Sequence, residues 1–160
     1  MAKFKLMRTF ITKSNLIYFF GSLVILLTFS GCSSDKDINE IIPNTVVDIK
    51  LPLNYYSDLN YANTPIHITN YNGRRPGYMG HGIIVMRVGD QFKAYDATCT
   101  HDPQSPESLE IDGITAVCPI CESTFDLFSG NYFDNSMAQY PLKEYQTFYS
   151  VSTNTLRIFN

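Results

Sequence analysis

Two short stretches carry the residue types that hold soft metals: ATCTHDP at 97–103 and VCPICES at 117–123. Together they contain Cys99, His101, Cys118 and Cys121, arranged as C-x-H and C-x-x-C, with 16 residues between His101 and Cys118. Thiolate and imidazole bind transition metals more strongly than water does. Each pair is short enough to sit on one tight loop and aim both donors at a single point. The gap between the pairs contains Pro103, Pro106 and Gly113 and runs directly into an apolar stretch. Two loops from neighbouring hairpins could therefore clamp a metal between them. The same four residues are also compatible with a disulfide or with ordinary core packing.

The elements that must position these loops read as short strands. VVDIKLPL (46–53), PIHIT (65–69), GIIVMRV (82–88), QFKAYDA (91–97), GITAVCP (113–119), STFDLF (123–128), LKEYQTFYSV (142–151) and TLRIFN (155–160) are rich in β-branched and aromatic residues. Several alternate in polarity, as half-buried strands do. Gly89-Asp90, Ser129-Gly130-Asn131 and Ser152-Thr153-Asn154 read as turns. No long window after the first thirty residues has a helical period, so the expected class is all-β. The eleven Tyr and eleven Phe suit such strands as core and cross-strand residues. His67, within PIHIT, is expected to point off one strand face, and His81, in a glycine-rich loop, to be structural. Arg74-Arg75 reads as a solvated pair.

Residues 1–31 stand apart. Lys3, Lys5, Arg8 and Lys13 precede an apolar run from Leu16 to Phe29, and no acidic residue interrupts them. A basic start, an apolar centre and a small-residue end describe an export signal, and a run of 14 residues falls short of the roughly 20 a spanning helix needs. The ending FSGC (29–32) resembles the lipobox of bacterial lipoproteins, with Phe29 where that family usually has Leu. The resemblance implies cleavage before Cys32, acylation of Cys32, and a protein tied to a membrane of the bacterial cell envelope by more than one acyl chain. The signal lacks an Arg-Arg pair, as expected of a chain exported unfolded that acquires metal afterwards. Residues 32–45, polar and ending near Pro43, are expected to form a tether, and 46–160 the folded domain.

Charge and cysteine count narrow the function. Removing residues 1–31 takes away four basic residues and no acidic one, so the 12 Lys and Arg fall to eight against 15 Asp and Glu. That acidic balance excludes a basic nucleic-acid footprint, and membrane attachment is left to the lipid. With Cys32 acylated, three cysteines remain. An odd number in an exported protein leaves a thiol over in any disulfide scheme, whereas one site using all three sulfurs leaves none.

In that pattern the chain resembles the Rieske family of iron–sulfur domains. CTH matches the family's first loop, the spacing matches, and CPIC followed by ESTFD matches its second loop apart from two positions. GIIVMRVGDQFKAYDATCTH resembles the strand pair leading into the first loop, and FDLFSGNY with YPLKEY resembles the exit from the second. The resemblance spans about residues 80–159. It implies small antiparallel sheets with a cluster-binding subdomain formed by two loops, a 2Fe–2S cofactor and one-electron transfer. Carried over by position, Cys99 and Cys118 would hold one iron, and His101 and Cys121 the other.

The departures are Cys121, where the family has its second histidine, and Glu122, where it usually has glycine. A third thiolate makes the oxidised cluster more negative and lowers its potential. Ser123 matches a family serine that hydrogen-bonds a cluster sulfur, while Phe125 stands where high-potential members place Tyr. Two other readings of the ligand set stay open. One is a structural zinc site, since three Cys and one His are a common zinc set. The other is a metal-free binding or scaffold module in which Cys118 pairs with a neighbouring thiol. There is no Ser–His–Asp pattern, no glycine-rich phosphate loop and no mononuclear iron triad, and the chain has no room for the catalytic domain of Rieske-type oxygenases. The resemblance thus implies a redox component serving a partner protein that no residue names.

Overall fold

The computed structural model describes residues 36–160. The expected export signal, residues 1–31, and Cys32 lie outside the described residues. Among the described residues nine strands form three antiparallel sheets of three. They are β1 (Asp48–Pro52), β2 (Ile66–Ile68), β3 (Ile83–Val88), β4 (Gln91–Asp96), β5 (Glu110–Asp112), β6 (Thr115–Val117), β7 (Thr124–Asp126), β8 (Gln146–Ser150) and β9 (Thr155–Phe159). The sheet orders are β1-β9-β8, β2-β3-β4 and β5-β6-β7. The all-β architecture of small antiparallel sheets expected from the sequence is the one present. Among the described residues no helix is long and apolar enough to cross a membrane.

The first sheet follows from alternation. In β1 the side chains of Ile49 and Leu51 are buried and those of Asp48 and Lys50 exposed; in β9 Leu156 and Ile158 are buried and Arg157 exposed. Register pairs Ile49 with Ile158 and Leu51 with Leu156, so one face of the ribbon is hydrocarbon. On the other face Arg157 forks onto both carboxylate oxygens of Asp48, at 2.8 and 3.0 Å.

Strand β3 breaks the alternation, because Ile83, Ile84, Val85 and Met86 are all buried. A strand covered on both faces reads as a continuous apolar run, and here each face meets a different core. Ile83 and Val85 join Leu51, Leu53, Leu59, Phe92, Leu156 and Ile158 in one cluster. Ile84 and Met86 join Tyr95, Leu109, Ala116, Phe125 and Leu127 in the other, which also contains Cys99 and Cys118. β3 and β4 are thus a partition with a base on one side and a tip on the other. The segment before β8 ties onto β4 through Asp96 N–H to Lys143 O and Tyr145 N–H to Ala94 O, at 2.9 and 2.8 Å.

Two sequence expectations are corrected. Residues 36–45 are not all tether: Ile38–Ile41 form a one-turn helix, α1, capped by Asp37. Ile42 is fully buried, and its carbonyl accepts a 2.7 Å hydrogen bond from the buried Lys143 Nζ. The apolar side chains of Ile41 and Ile42, set in a polar stretch, were the overlooked signal. Strand β5 was also missed, because EID carries one apolar residue; its hairpin to β6 turns at Gly113, φ +59°. His67 and His81 are structural, as expected: His67 Nε2 lies 2.8 Å from His81 O, and His81 Nδ1 lies 2.9 Å from Thr98 Oγ1.

Candidate metal centre

The first ligand loop leaves the end of β4, and its root is fixed by a buried carboxylate. Asp96 is fully buried. Its Oδ2 accepts from Tyr145 O–H at 2.6 Å and from Tyr78 N–H at 2.7 Å, and its Oδ1 accepts from Thr98 N–H at 3.0 Å. A buried charge needs such compensation, and these bonds hold Thr98 immediately before Cys99. Burial, then the neighbouring Asp96 charge, pushes the Tyr145 hydroxyl well above the usual tyrosine range, so it stays a donor. Burial lowers the pKa of His81, which favours the neutral ring beside Thr98.

The second ligand loop joins β6 to β7 as a closed turn. Glu122 N–H donates to Cys118 O and Cys118 N–H to Ser123 O, both at 2.9 Å. Closing it requires Glu122 at φ +57°, a left-handed conformation that side chains resist. The family that the sequence resembles usually has glycine there; this chain places a glutamate in the left-handed region.

These loops bring three of the four expected ligands together. The sulfurs of Cys99, Cys118 and Cys121 all lie within 4.8 Å of one another, with Cys99 and Cys121 in contact at 3.6 Å. Cys99 and Cys118 are buried and Cys121 is half-buried. His101 is exposed and stands outside this group. The three cysteines are free thiols.

The sulfurs differ in electrostatics. Burial pushes the Cys99 thiol up, against backbone N–H groups of Asp102 and His101 that favour its thiolate. At Cys121 burial also acts upward, but hydrogen bonds from Ser123 and the neighbouring sulfurs outweigh it, and the net shift is down. Ser123 Oγ lies 3.1 Å from Cys121 Sγ and accepts Ala138 N–H at 3.1 Å. That amide orients the hydroxyl, leaving its own hydrogen free to donate to a thiolate. Ser123 Oγ therefore lies beside the Cys121 sulfur.

A third loop, 133–140, was not foreseen as part of the site. It supports both ligand loops: Ala138 reaches Ser123, Ser136 Oγ lies 2.8 Å from Thr124 N, and Tyr140 O accepts from Thr100 Oγ1 at 2.7 Å. Asp96 and Tyr145 were also missed. Nothing in their local sequence distinguishes them, since they meet across 49 residues of chain.

No family model matches the chain and no curated protein is significantly similar to it. Solved structures with similarity include the ferredoxin of carbazole 1,9a-dioxygenase from Nocardioides aromaticivorans. It is 17% identical, with TM-score 0.43, over 72% of this chain and 98% of its own. A chain from a complex of reduced oxygenase and oxidized ferredoxin in carbazole 1,9a-dioxygenase is 24% identical, with TM-score 0.41, over 64% and 85%. A Mycobacterium tuberculosis protein described as the small subunit of an NADH-dependent nitrite reductase is 14% identical, with TM-score 0.42, over 73% and 97%.

Proposed function

We propose that this protein is a lipid-anchored, Rieske-like 2Fe–2S protein of the bacterial cell envelope that carries single electrons at low potential. The observation that carries this reading is the convergence of Cys99, Cys118 and Cys121, from two loops, on one point at the tip. His101 follows two residues after the first of them. The donor set fits the group: three thiols, two of them buried, with backbone N–H groups turned toward a sulfur. Cys99 and Cys118 would hold the inner iron; Cys121 and His101 would hold the outer one, on the side open to solvent. When bound, the cluster supplies a one-electron redox couple.

The chain's own residues would tune that couple. Cys121 in place of a histidine adds a negative charge to the ligand set and lowers the potential. Ser123 and the amides of His101 and Asp102 act the other way, by donating hydrogen bonds to sulfur. Ile120, within the second ligand loop, and Met137, beside Ala138, are exposed. They offer apolar contact to a redox partner protein close to the ligands. Acylation at Cys32 would confine such encounters to the membrane surface.

A second reading, a structural zinc site, draws on a different feature of the same geometry. Zinc with Zn–S bonds of about 2.3 Å places its sulfurs about 3.8 Å apart, close to the 3.6 Å between Cys99 and Cys121. Ligands shared between two sulfide-bridged irons stand farther apart. Metal analysis with an absorption spectrum separates the readings. Two irons per chain with visible thiolate-to-iron bands, and a midpoint below the roughly −150 mV where Rieske centres begin, is the expected result. One zinc per chain in a colourless protein would overturn it in favour of the structural site.

A further inference from the structure

The contact between Cys99 and Cys121 has a consequence that neither metal reading requires. We propose that in the metal-free chain these two cysteines form a reversible disulfide that closes the metal site, making metal loading conditional on reduction. The two sulfurs lie 3.6 Å apart, so a bond of about 2.05 Å needs an approach of about 1.6 Å. Cys118 lies within 4.8 Å of both. The sequence alone offered no reason to single out this pair, since Cys99 and Cys121 belong to different motifs.

Accessibility sets the order of events. Cys121 is half-buried, while Cys99 and Cys118 are closed to solvent. The external oxidant is a disulfide, either a small one such as oxidised glutathione or the disulfide of a thioredoxin-like protein. The Cys121 thiolate attacks one of its sulfurs; that S–S bond breaks, and a thiolate leaves. The resulting mixed disulfide on Cys121 faces Cys99. The Cys99 sulfur attacks Cys121 Sγ, the mixed S–S bond breaks, and the Cys99 proton passes to the second thiolate as it leaves. In total two protein thiols are oxidised by two electrons and one external disulfide is reduced to two thiols. Excess external thiol reverses both steps.

Closing this bond removes two of the three gathered sulfurs. Only Cys118 and His101 then remain, too few for a four-coordinate metal. Export, as proposed above, would bring the chain to an oxidising compartment where thiols tend to pair. Loading would therefore compete with disulfide formation, whether the metal is iron or zinc.

The test uses the full-length, metal-free protein, equilibrated in reduced-to-oxidised glutathione buffers. After quenching with an alkylating agent, peptides are mapped by mass spectrometry, with Cys32 followed in its own peptide. In the oxidising buffers a Cys99–Cys121 cross-linked peptide should appear and alkylation at both positions should vanish, while Cys118 stays alkylatable after denaturation. Zinc uptake, read with a colorimetric chelator, should be lost in the oxidised sample and regained on reduction. Cys118→Ser should still form the bond. Three alkylated thiols at every redox ratio, or a Cys118–Cys121 bridge, would overturn the proposal. Failure of iron reconstitution in the fully reduced chain would instead count against the electron-carrier reading and leave the disulfide result standing.

Discussion

The base and the tip, one on each side of the β3–β4 partition, are built on different principles. The base core is almost wholly hydrocarbon, drawn mostly from strands of five and six residues: Ile49, Leu51, Val85, Leu156 and Ile158 have no polar side-chain atom to satisfy. The tip's own sheet has strands of three residues, and its core mixes Phe125 and Leu127 with small or sulfur-bearing side chains: Ala97, Ala116, Ala138, Cys99 and Cys118. Apolar area is what stabilises a fold without a cofactor. The small residues and loops of the tip contribute less of it. Among the described residues the ion pairs are also outside the tip sheet: Asp48 with Arg157, Lys93 with Glu144, and Arg87 with Asp90. The chain separates a frame, stable by hydrophobic burial, from a tip that gathers three sulfurs.

The strongest way to break this contrast is to cut into the frame. Leu51 is fully buried and faces Leu156. Leu51→Ala should destabilise the whole domain by about 2–5 kcal/mol, seen as one lowered denaturant midpoint, while the folded fraction binds metal with unchanged stoichiometry. Separate unfolding of base and tip would contradict a shared partition.

Metal removal should act in the opposite place. A ligand held at about 100 times its Kd stabilises what it binds by about 2.7 kcal/mol. On chelation, hydrogen-exchange protection should therefore fall by about 100-fold at the Cys118 and Glu122 amides of the second ligand loop. The Leu156 amide in β9 should change far less. Equal losses in both regions would mean that the tip is no more metal-dependent than the base.

Ser123→Ala tests the link between the third loop and the ligands. It leaves the buried Ala138 N–H without its acceptor, at about 1–3 kcal/mol, and removes the hydroxyl beside Cys121. Stability should fall by that amount, and the midpoint of a loaded centre should shift to more negative potential in voltammetry. Ser123→Thr should restore both if it preserves the hydroxyl position.

Glu122→Gly should move stability the other way. A left-handed residue with a side chain carries roughly 1 kcal/mol of strain, part of which glycine returns through its greater freedom in the unfolded chain. A net gain of up to about 1 kcal/mol is expected, read as a single raised thermal midpoint.

The smallest effect belongs to the exposed pair on β1 and β9. The hydrogen-bonded Arg157 guanidinium lowers the pKa of Asp48. A lowered carboxylate pKa adds stability above the unfolded Asp value, near 3.9, and that stability is lost as pH falls through the native value. Acid titration of Asp48→Asn should lack this component below about pH 4, and added salt should shrink the difference from the parent. An unchanged acid profile would show that the fork contributes nothing.

Much of the frame was legible in the sequence because its information is local. Alternation in DIKLP and TLRIF, and the turn pairs at Gly89-Asp90 and Ser152–Asn154, depend on neighbours a few residues away. So do the C-x-H and C-x-x-C spacings, which announced a donor cluster. Tertiary structure alone decided what those donors meet. IIVM could be read as a strand, but only the packing of one core on each face made it a partition. Two motifs could be seen to converge, but only the loop geometry set Cys99 against Cys121 and left His101 outside the sulfur group. Ala138 under Ser123, Tyr145 on Asp96 and Lys143 on Ile42 are contacts across 15, 49 and 101 residues. A hydrogen bond between distant residues follows from where the whole chain places both partners, and no local pattern of either residue encodes it.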